Sequence, residues 1–460
     1  MDSADYNYPV TSRASGFNEQ KPSDWIDALK ASISKLKNRN ASAVASLQAI
    51  GIAGHMHGAT LLDKNGEILY PCILWNDTRS YKQASILDQD ANLREITGNI
   101  VFPGFTAPKL LWIQDNEPEL FEQVAKVLLP ASYLGYYLTG EFFMDMSDAA
   151  GTSWLDVGNR CWSDYALKAS NMRSDQMPKL LEGSQVASSV PKFIADELGI
   201  PSGVSVVAGA GDNAAAACGV GIMKEGQGFV SIGTSGVLLT ARDAYTPLAK
   251  SAVHTFCHAI PKTWYQMGVI LSATDSLNWL SRITGKSPKE LSEGLTHKIN
   301  GPSSEKFYPY LSGERTPLND AHIRGGFAGL STSSNRINLT QAVLEGVAFA
   351  LRDCLEALKK AGPCPDQLLA IGGGSRSLFW LETIATTLNT PLARPIDGEY
   401  GAAMGAARLA ILGKTNEPIK NIISQPTISK IIEPRADLTD LYFEAFNTYK
   451  SAPSHLKSMQ

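Results

Sequence analysis

Asp212 sits between a run of small residues, Val207-Ala208-Gly209-Ala210-Gly211, and Asn213 with the alanines 214–217. A carboxylate on a tight turn after a strand is placed to take the proton of a bound hydroxyl. The same position ahead of an alanine-rich helix also suits a helix cap, and one residue can do both. A second strand, predicted at 229–232, breaks into Gly233-Thr234-Ser235-Gly236. The backbone N–H groups and hydroxyls of such a turn can hold a phosphate. Together the two features point to phosphoryl transfer to an alcohol, with Asp212 as general base.

Two further clusters have the chemistry of a sugar site. Gly54-His55-Met56-His57-Gly58 offers hydrogen-bonding groups and an apolar wall between glycines at a strand end. Turn histidines also satisfy nearby backbone, which is the plain alternative. In Trp75-Asn76-Asp77 with Arg79, Trp75 can stack on a sugar ring while Asn76 and Asp77 hold hydroxyls. An Asx turn beside a core tryptophan is the other reading.

The elements that must position these residues alternate between short apolar strands and amphipathic helices. Strands are predicted at 46–53, 124–129, 204–209 and 368–371, with a hairpin over 60–69 around Asn65-Gly66. An antiparallel meander is predicted over 228–232, 237–240 and 264–267. Helices are predicted at 107–114, 340–360 and 377–388. The Pro201-Ser202-Gly203 turn is the expected junction, giving a first domain of 1–203 and a second of 204–460.

Several blocks resemble the FGGY family of carbohydrate kinases, in its bacterial xylulokinase branch. They are GIAGHMHGATLLD at 51–63, ILWNDTRS at 73–80, GNIVFPGFTAPKLLW at 98–112, DMSDAAGTSWLDV at 145–157, GAGDNAAAACGVG and SIGTSGV, FYPYLSGERTP at 307–317, AVLEGVAFAL at 342–351 and IGGGSRSLFW at 371–380. The resemblance implies an α/β fold of two ribonuclease H-like domains, of the actin and hexokinase ATPase type, with a cleft between them. It implies ATP-dependent phosphorylation of D-xylulose to D-xylulose 5-phosphate in xylose catabolism, with ATP and Mg2+ as the cofactors. By that likeness Asp212 is the base, while Met56, His57, Trp75, Asn76, Asp77 and Asn213 contact the sugar. Gly233, Thr234, Ser235, Gly372, Gly373, Gly374 and Gly401 then hold the nucleotide, and no side chain is assigned as a metal ligand. His55 departs from the glutamine usual before the Met-His pair. The family's opening strand and Asp-x-Gly-Thr-Ser turn have no counterpart, since no DxGT[ST] occurs and 10–25 resemble the family's segment after that turn. A lacking front phosphate loop is therefore expected, through a mis-called start, trimming or genuine loss. Other FGGY kinases, acting on ribulose, glycerol or gluconate, and a non-catalytic sugar-binding regulator are the competing readings.

Composition narrows the class. With 460 residues, 44% hydrophobic and 19% charged, the chain suits two or three globular domains. A net charge of −4 supplies no basic face for nucleic acid. Six scattered cysteines without CxxC read as small buried hydrophobes in a reducing compartment. No signal peptide or membrane-length apolar run is present, so a cytoplasmic protein without membrane or nucleic-acid partners is expected. A homodimer is the assembly carried forward beside the two small-molecule substrates.

Overall fold

The computed structural model describes residues 2–295, 298–396, 401–415 and 417–458. The chain divides into two compact units. The first comprises Met1–Met223, Phe256–Trp264 and Tyr400–Ser424, and the second comprises Lys224–Thr255, Tyr265–Glu399 and Gln425–Gln460.

In the first unit the predicted strand over 46–53 is two short strands, Ala49–Ile50 and Ala53–Gly54. The break has a packing cause. A Cβ on Gly51 would lie 2.0 Å from the carbonyl oxygen of Ala406, on helix Gly401–Thr415. Ser205–Val207 runs parallel to Ala49–Ile50, and Ala210–Gly211 runs parallel to Ala53–Gly54. That pairing ties 204–211 to the first unit, which runs on past the Pro201-Ser202-Gly203 turn to Met223. Strand Thr60–Leu62 pairs antiparallel with Lys126–Leu128, and the hairpin closes back on it through Leu69 N–H to Leu61 O at 2.9 Å. Helix Thr106–Asn116 carries Pro108 in its first turn and turns Ala107, Leu110 and Ile113 into a core with Leu61, Val127 and Trp154.

A seven-stranded sheet, most of it in the second unit, runs in the order His254–Cys257, Trp264–Ile270, Gly236–Arg242, Gly228–Ile232, Leu368–Ile371, Leu392–Pro395, Ile428–Ile432. Gly228–Ile232 pairs antiparallel with Gly236–Arg242 and parallel with Leu368–Ile371. Helix Arg336–Ala361 starts at an Asn335 cap that accepts from the Ile337 and Asn338 amides. Its Val343, Val347, Leu351, Leu355 and Leu358 are buried, each burial contributing about 1.5–3 kcal/mol of transfer free energy. Among the described residues no helix is long and apolar enough to cross a membrane.

Candidate active site

The parallel pairing of Ala53–Gly54 with Ala210–Gly211 decides the geometry of the first unit's site. Gly54 faces Gly211 in register, so the two strands end side by side. One leads into His55-Met56-His57 and the other into Asp212. A Cβ on Gly211 would meet Met56 Cγ at 2.8 Å and Asp148 Oδ1 at 3.4 Å. Met56, Asp148 and the start of helix Asp212–Gly219 therefore pack against one another.

The N-cap of that helix is Gly211, and Asp212 is its first helical residue. The Asp212 carboxylate accepts from the Asn213 amide at 2.8 Å and from Asn213 Nδ2 at 3.0 Å. It is thus held by its neighbour rather than spent on capping the helix. Burial pushes its pKa up to about 6, with the two Asn213 bonds pulling the other way. A base titrating close to neutral pH is suited to accepting a hydroxyl proton. Small residues let the helix lie flat against Gly401–Thr415: a Cβ on Gly405 would sit 1.8 Å from Ala215 O. Gly401 lies at that packed face, 3.4 Å from Ala216 Cβ by the same measure. Its expected nucleotide role gains no contact here, and Glu399 and Tyr400 beside it fall outside the described residues.

His57 has φ of +72°, a left-handed conformation that costs a non-glycine residue about 1–2 kcal/mol. Its ring Nδ1 lies 2.6 Å from Gly151 O and therefore donates, so Nε2 is an acceptor in the neutral ring. The ring stacks on Phe105 at 4.5 Å between centroids. Gly151 must lack a side chain, since its Cβ would lie 2.6 Å from that imidazole. Met56 is buried. His55 is turned toward Trp25, and burial lowers its pKa to about 4, which keeps it neutral.

The Trp75-Asn76-Asp77 turn divides by exposure. Trp75 is 41% exposed, as a stacking ring requires, and Asn76 is exposed too. Asp77 is fully buried. Its oxygens accept from Arg79 Nε at 2.9 Å, Arg79 Nη2 at 2.7 Å and the Asn18 amide at 2.6 Å. The Arg79 head is sealed by Glu19 at 2.7 Å and lies 3.8 Å over the Phe17 ring. Asp77 thus holds the turn's shape and shows no oxygen to a ligand.

In the second unit, parallel strands Gly228–Ile232 and Leu368–Ile371 end at the same edge of the sheet, bringing 233–235 and 372–374 together. Carboxyl ends of parallel strands are where such sheets bind ligands. The carbonyls of Gly233 and Thr234 accept from the Thr274 and Ala273 amides at 2.9 and 2.8 Å, which anchors the loop to helix Thr274–Thr284. The three glycines differ. Gly372 has φ of +83° and no space beside Ile232, and Gly374 would clash with the Ile232 side chain. Gly373 has nothing within 4 Å, so its backbone is open to a close-approaching group.

Models of the N-terminal and C-terminal domains of the FGGY family of carbohydrate kinases match residues 1–219 and 228–413. The chain belongs to the FGGY family of carbohydrate kinases. This FGGY kinase is 43% identical to the xylulose kinase of Escherichia coli over 403 residues, 87% of this chain and 83% of that one. It is 34% identical to the xylulose kinase of Bacillus subtilis over 461 residues, 98% of this chain and 92% of that one. A crystal structure of a xyloylose kinase from Brucella ovis superimposes with a TM-score of 0.95 at 51% identity, covering 98% of this chain and 93% of that one. The family and this likeness establish the two-domain α/β fold and the phosphotransferase class.

Sequence reasoning assigned no role to three acids and bases that line this FGGY kinase's first unit. Lys109 is fully buried and donates to His57 O and Ile73 O. Asp145 caps helix Met146–Ala149, accepting from the Ser147 amide, and burial raises its pKa to about 6. Asp148 is buried with both oxygens lacking a protein partner; burial and the nearby Asp145 and Asp212 charges push its pKa well above the carboxylate range. All three lie in blocks that carry the family resemblance, 98–112 and 145–157. Their apolar neighbours hid them, because a lysine or aspartate in an otherwise buried stretch is the available signal.

Proposed function

We propose that the chain transfers the γ-phosphoryl group of ATP to the terminal hydroxyl of D-xylulose, giving D-xylulose 5-phosphate in the cytoplasm. The observation that carries this reading is the in-register pairing of Gly54 with Gly211, which sets the Met56-His57 loop beside Asp212. Met56 supplies an apolar wall and His57 a ring acceptor, while Asp212 takes the hydroxyl proton as that oxygen attacks phosphorus. Asn213 orients the carboxylate by its two bonds. Gly233, Thr234 and Ser235, with the open backbone at Gly373, are the groups proposed to hold the nucleotide phosphates. Mg2+ would arrive with those phosphates and neutralise their charge. The family and the relatives named xylulose kinase support the choice of sugar.

The test is ADP release with D-xylulose, ribulose, glycerol and gluconate under one set of conditions. Preference for D-xylulose by kcat/KM is expected, and preference for another acceptor rejects the assignment. His57→Ala should weaken D-xylulose binding about tenfold, the value of one lost hydrogen bond to the ring, with ATP affinity unchanged. Unchanged sugar affinity by calorimetry would make His57 purely structural.

The pKa of Asp212 also fixes a pH profile. The base must be ionised, so kcat/KM should fall as pH drops through about 6. Both Asn213 bonds favour the charged form; Asn213→Ala removes the Nδ2 bond and keeps the backbone one, so it should move that acid limb to higher pH. A limb that stays in place would assign it to another carboxyl, with Asp145 first in line.

A further inference from the structure

Three observations converge on Lys109. Its side chain is completely buried, on the inner face of helix Thr106–Asn116. Its Nζ donates to the His57 carbonyl at 2.8 Å and to the Ile73 carbonyl at 3.1 Å. The same His57 carbonyl accepts from Thr106 Oγ1 at 3.1 Å. That carbonyl belongs to the residue with φ of +72°. Ile73 in turn opens the segment that carries Trp75-Asn76-Asp77, and its N–H and C=O bridge Ala59 just past the His57 loop.

We propose that Lys109 is a positioning residue that holds the strained His57 in its sugar-binding pose. The proposal rests on the assignment of His57 to the sugar. A left-handed histidine reverts to a relaxed conformation unless its surroundings over-determine it. Two donors on one carbonyl supply that constraint from a single helix turn, since Thr106 and Lys109 lie three residues apart. The Gly151 bond fixes the ring's Nδ1 edge and the Phe105 stack fixes its plane. The backbone beneath is fixed by Lys109 and Thr106. A buried amine keeps two N–H donors even when neutral, which matches the two carbonyls it serves. Burial lowers the Lys109 pKa to about 7, so the neutral form is accessible without loss of either bond.

The test is a double-mutant cycle between Lys109→Met and His57→Ala, read as D-xylulose affinity by calorimetry with ATP affinity measured in parallel. Methionine keeps length and apolar bulk and removes only the donors. Lys109→Met in the natural background should weaken sugar binding about tenfold and leave ATP affinity within about twofold. In the His57→Ala background the same change should alter sugar affinity by less than about twofold, because the group it positions is gone. Equal fold effects in both backgrounds would overturn the proposal and leave Lys109 as general scaffold. If Lys109→Met does not fold, Thr106→Val carries the same cycle with the same two outcomes. The wild-type acceptor panel separately judges the choice of D-xylulose, and the cycle is run with whichever sugar that panel selects.

Discussion

Asp212→Asn should lower turnover by about 10²- to 10⁴-fold while sugar affinity stays within a few-fold of wild type. The substitution keeps the side chain's shape, and the remaining oxygen can still accept from the Asn213 amide. What disappears is the capacity to take the hydroxyl proton. Stability gives a second, opposite readout. Burial holds the Asp212 pKa near 6, above the value in an unfolded chain. An acid with a raised folded pKa binds protons more tightly when folded, so its ionisation at pH 7 destabilises the fold. Replacing it with a neutral isostere should raise the thermal midpoint. A residue kept only for structure would show the reverse, a fall in stability that accounts for the lost activity. Retention of about a tenth of wild-type turnover, ten times above the upper bound expected here, would remove Asp212 from the base role.

Two strands of the seven-stranded sheet, Gly228–Ile232 and Leu368–Ile371, are legible to the residue for a physical reason. Leu368–Ile371 is a continuous apolar run buried on both faces, and Gly228–Ile232 is buried except at the half-buried Ser231; both are closed by glycine. Gly236–Arg242 and Trp264–Ile270 run longer than expected, while His254–Cys257, Leu392–Pro395 and Ile428–Ile432 carry no expectation. The first unit's strands Ala49–Ile50, Ala53–Gly54 and Thr60–Leu62 are two or three residues long, too short for a period to register. The run at 46–53 reads as one strand because Leu47, Ala49, Ile50, Ile52 and Ala53 make it mostly apolar. Gly51 breaks it, owing to the helix Gly401–Thr415 far downstream in sequence, which no local pattern encodes. The same long-range packing explains why Pro201-Ser202-Gly203 does not end the first unit. That turn has the composition of a linker, but the strand after it completes the first unit's parallel pairs.

The candidate site was legible in its residue types and less so in its roles. The Met56 and Asp212 loops leave adjacent strand ends, and Met56 packs beside Gly211, next to Asp212. The glycines of 372–374 read as one phosphate cradle, yet two of the three are glycine because Ile232 leaves them no room. Lys109 escaped notice because its value lies in two backbone carbonyls, and backbone partners carry no signature in the side-chain alphabet. Asp77 shows the converse. Its type and motif suit a sugar ligand, and only the Arg79 and Glu19 neighbours reveal that its charge is already committed.

Asp77→Ala should accordingly destabilise the protein by about 3 kcal/mol, the lower end for breaking a buried ion pair. The Asp77 side chain is 0% exposed and that of Arg79 1% exposed, so the guanidinium cannot turn to water when its partner is removed. Glu19 remains at 2.7 Å and keeps part of the compensation, which sets the lower end of the range. The Asn18 amide loses its acceptor as well, adding an unsatisfied donor to the first unit. Asp77→Asn should cost less, because the amide oxygen can still accept from Asn18 and from Arg79. Sugar affinity is expected to fall in both variants in proportion to the stability loss, since Asp77 acts through the shape of the Trp75-Asn76 turn. Chemical denaturation beside calorimetry at a temperature well below unfolding separates the two effects. A stable Asp77→Ala protein that has lost D-xylulose binding would contradict the burial argument and return Asp77 to direct contact with the sugar.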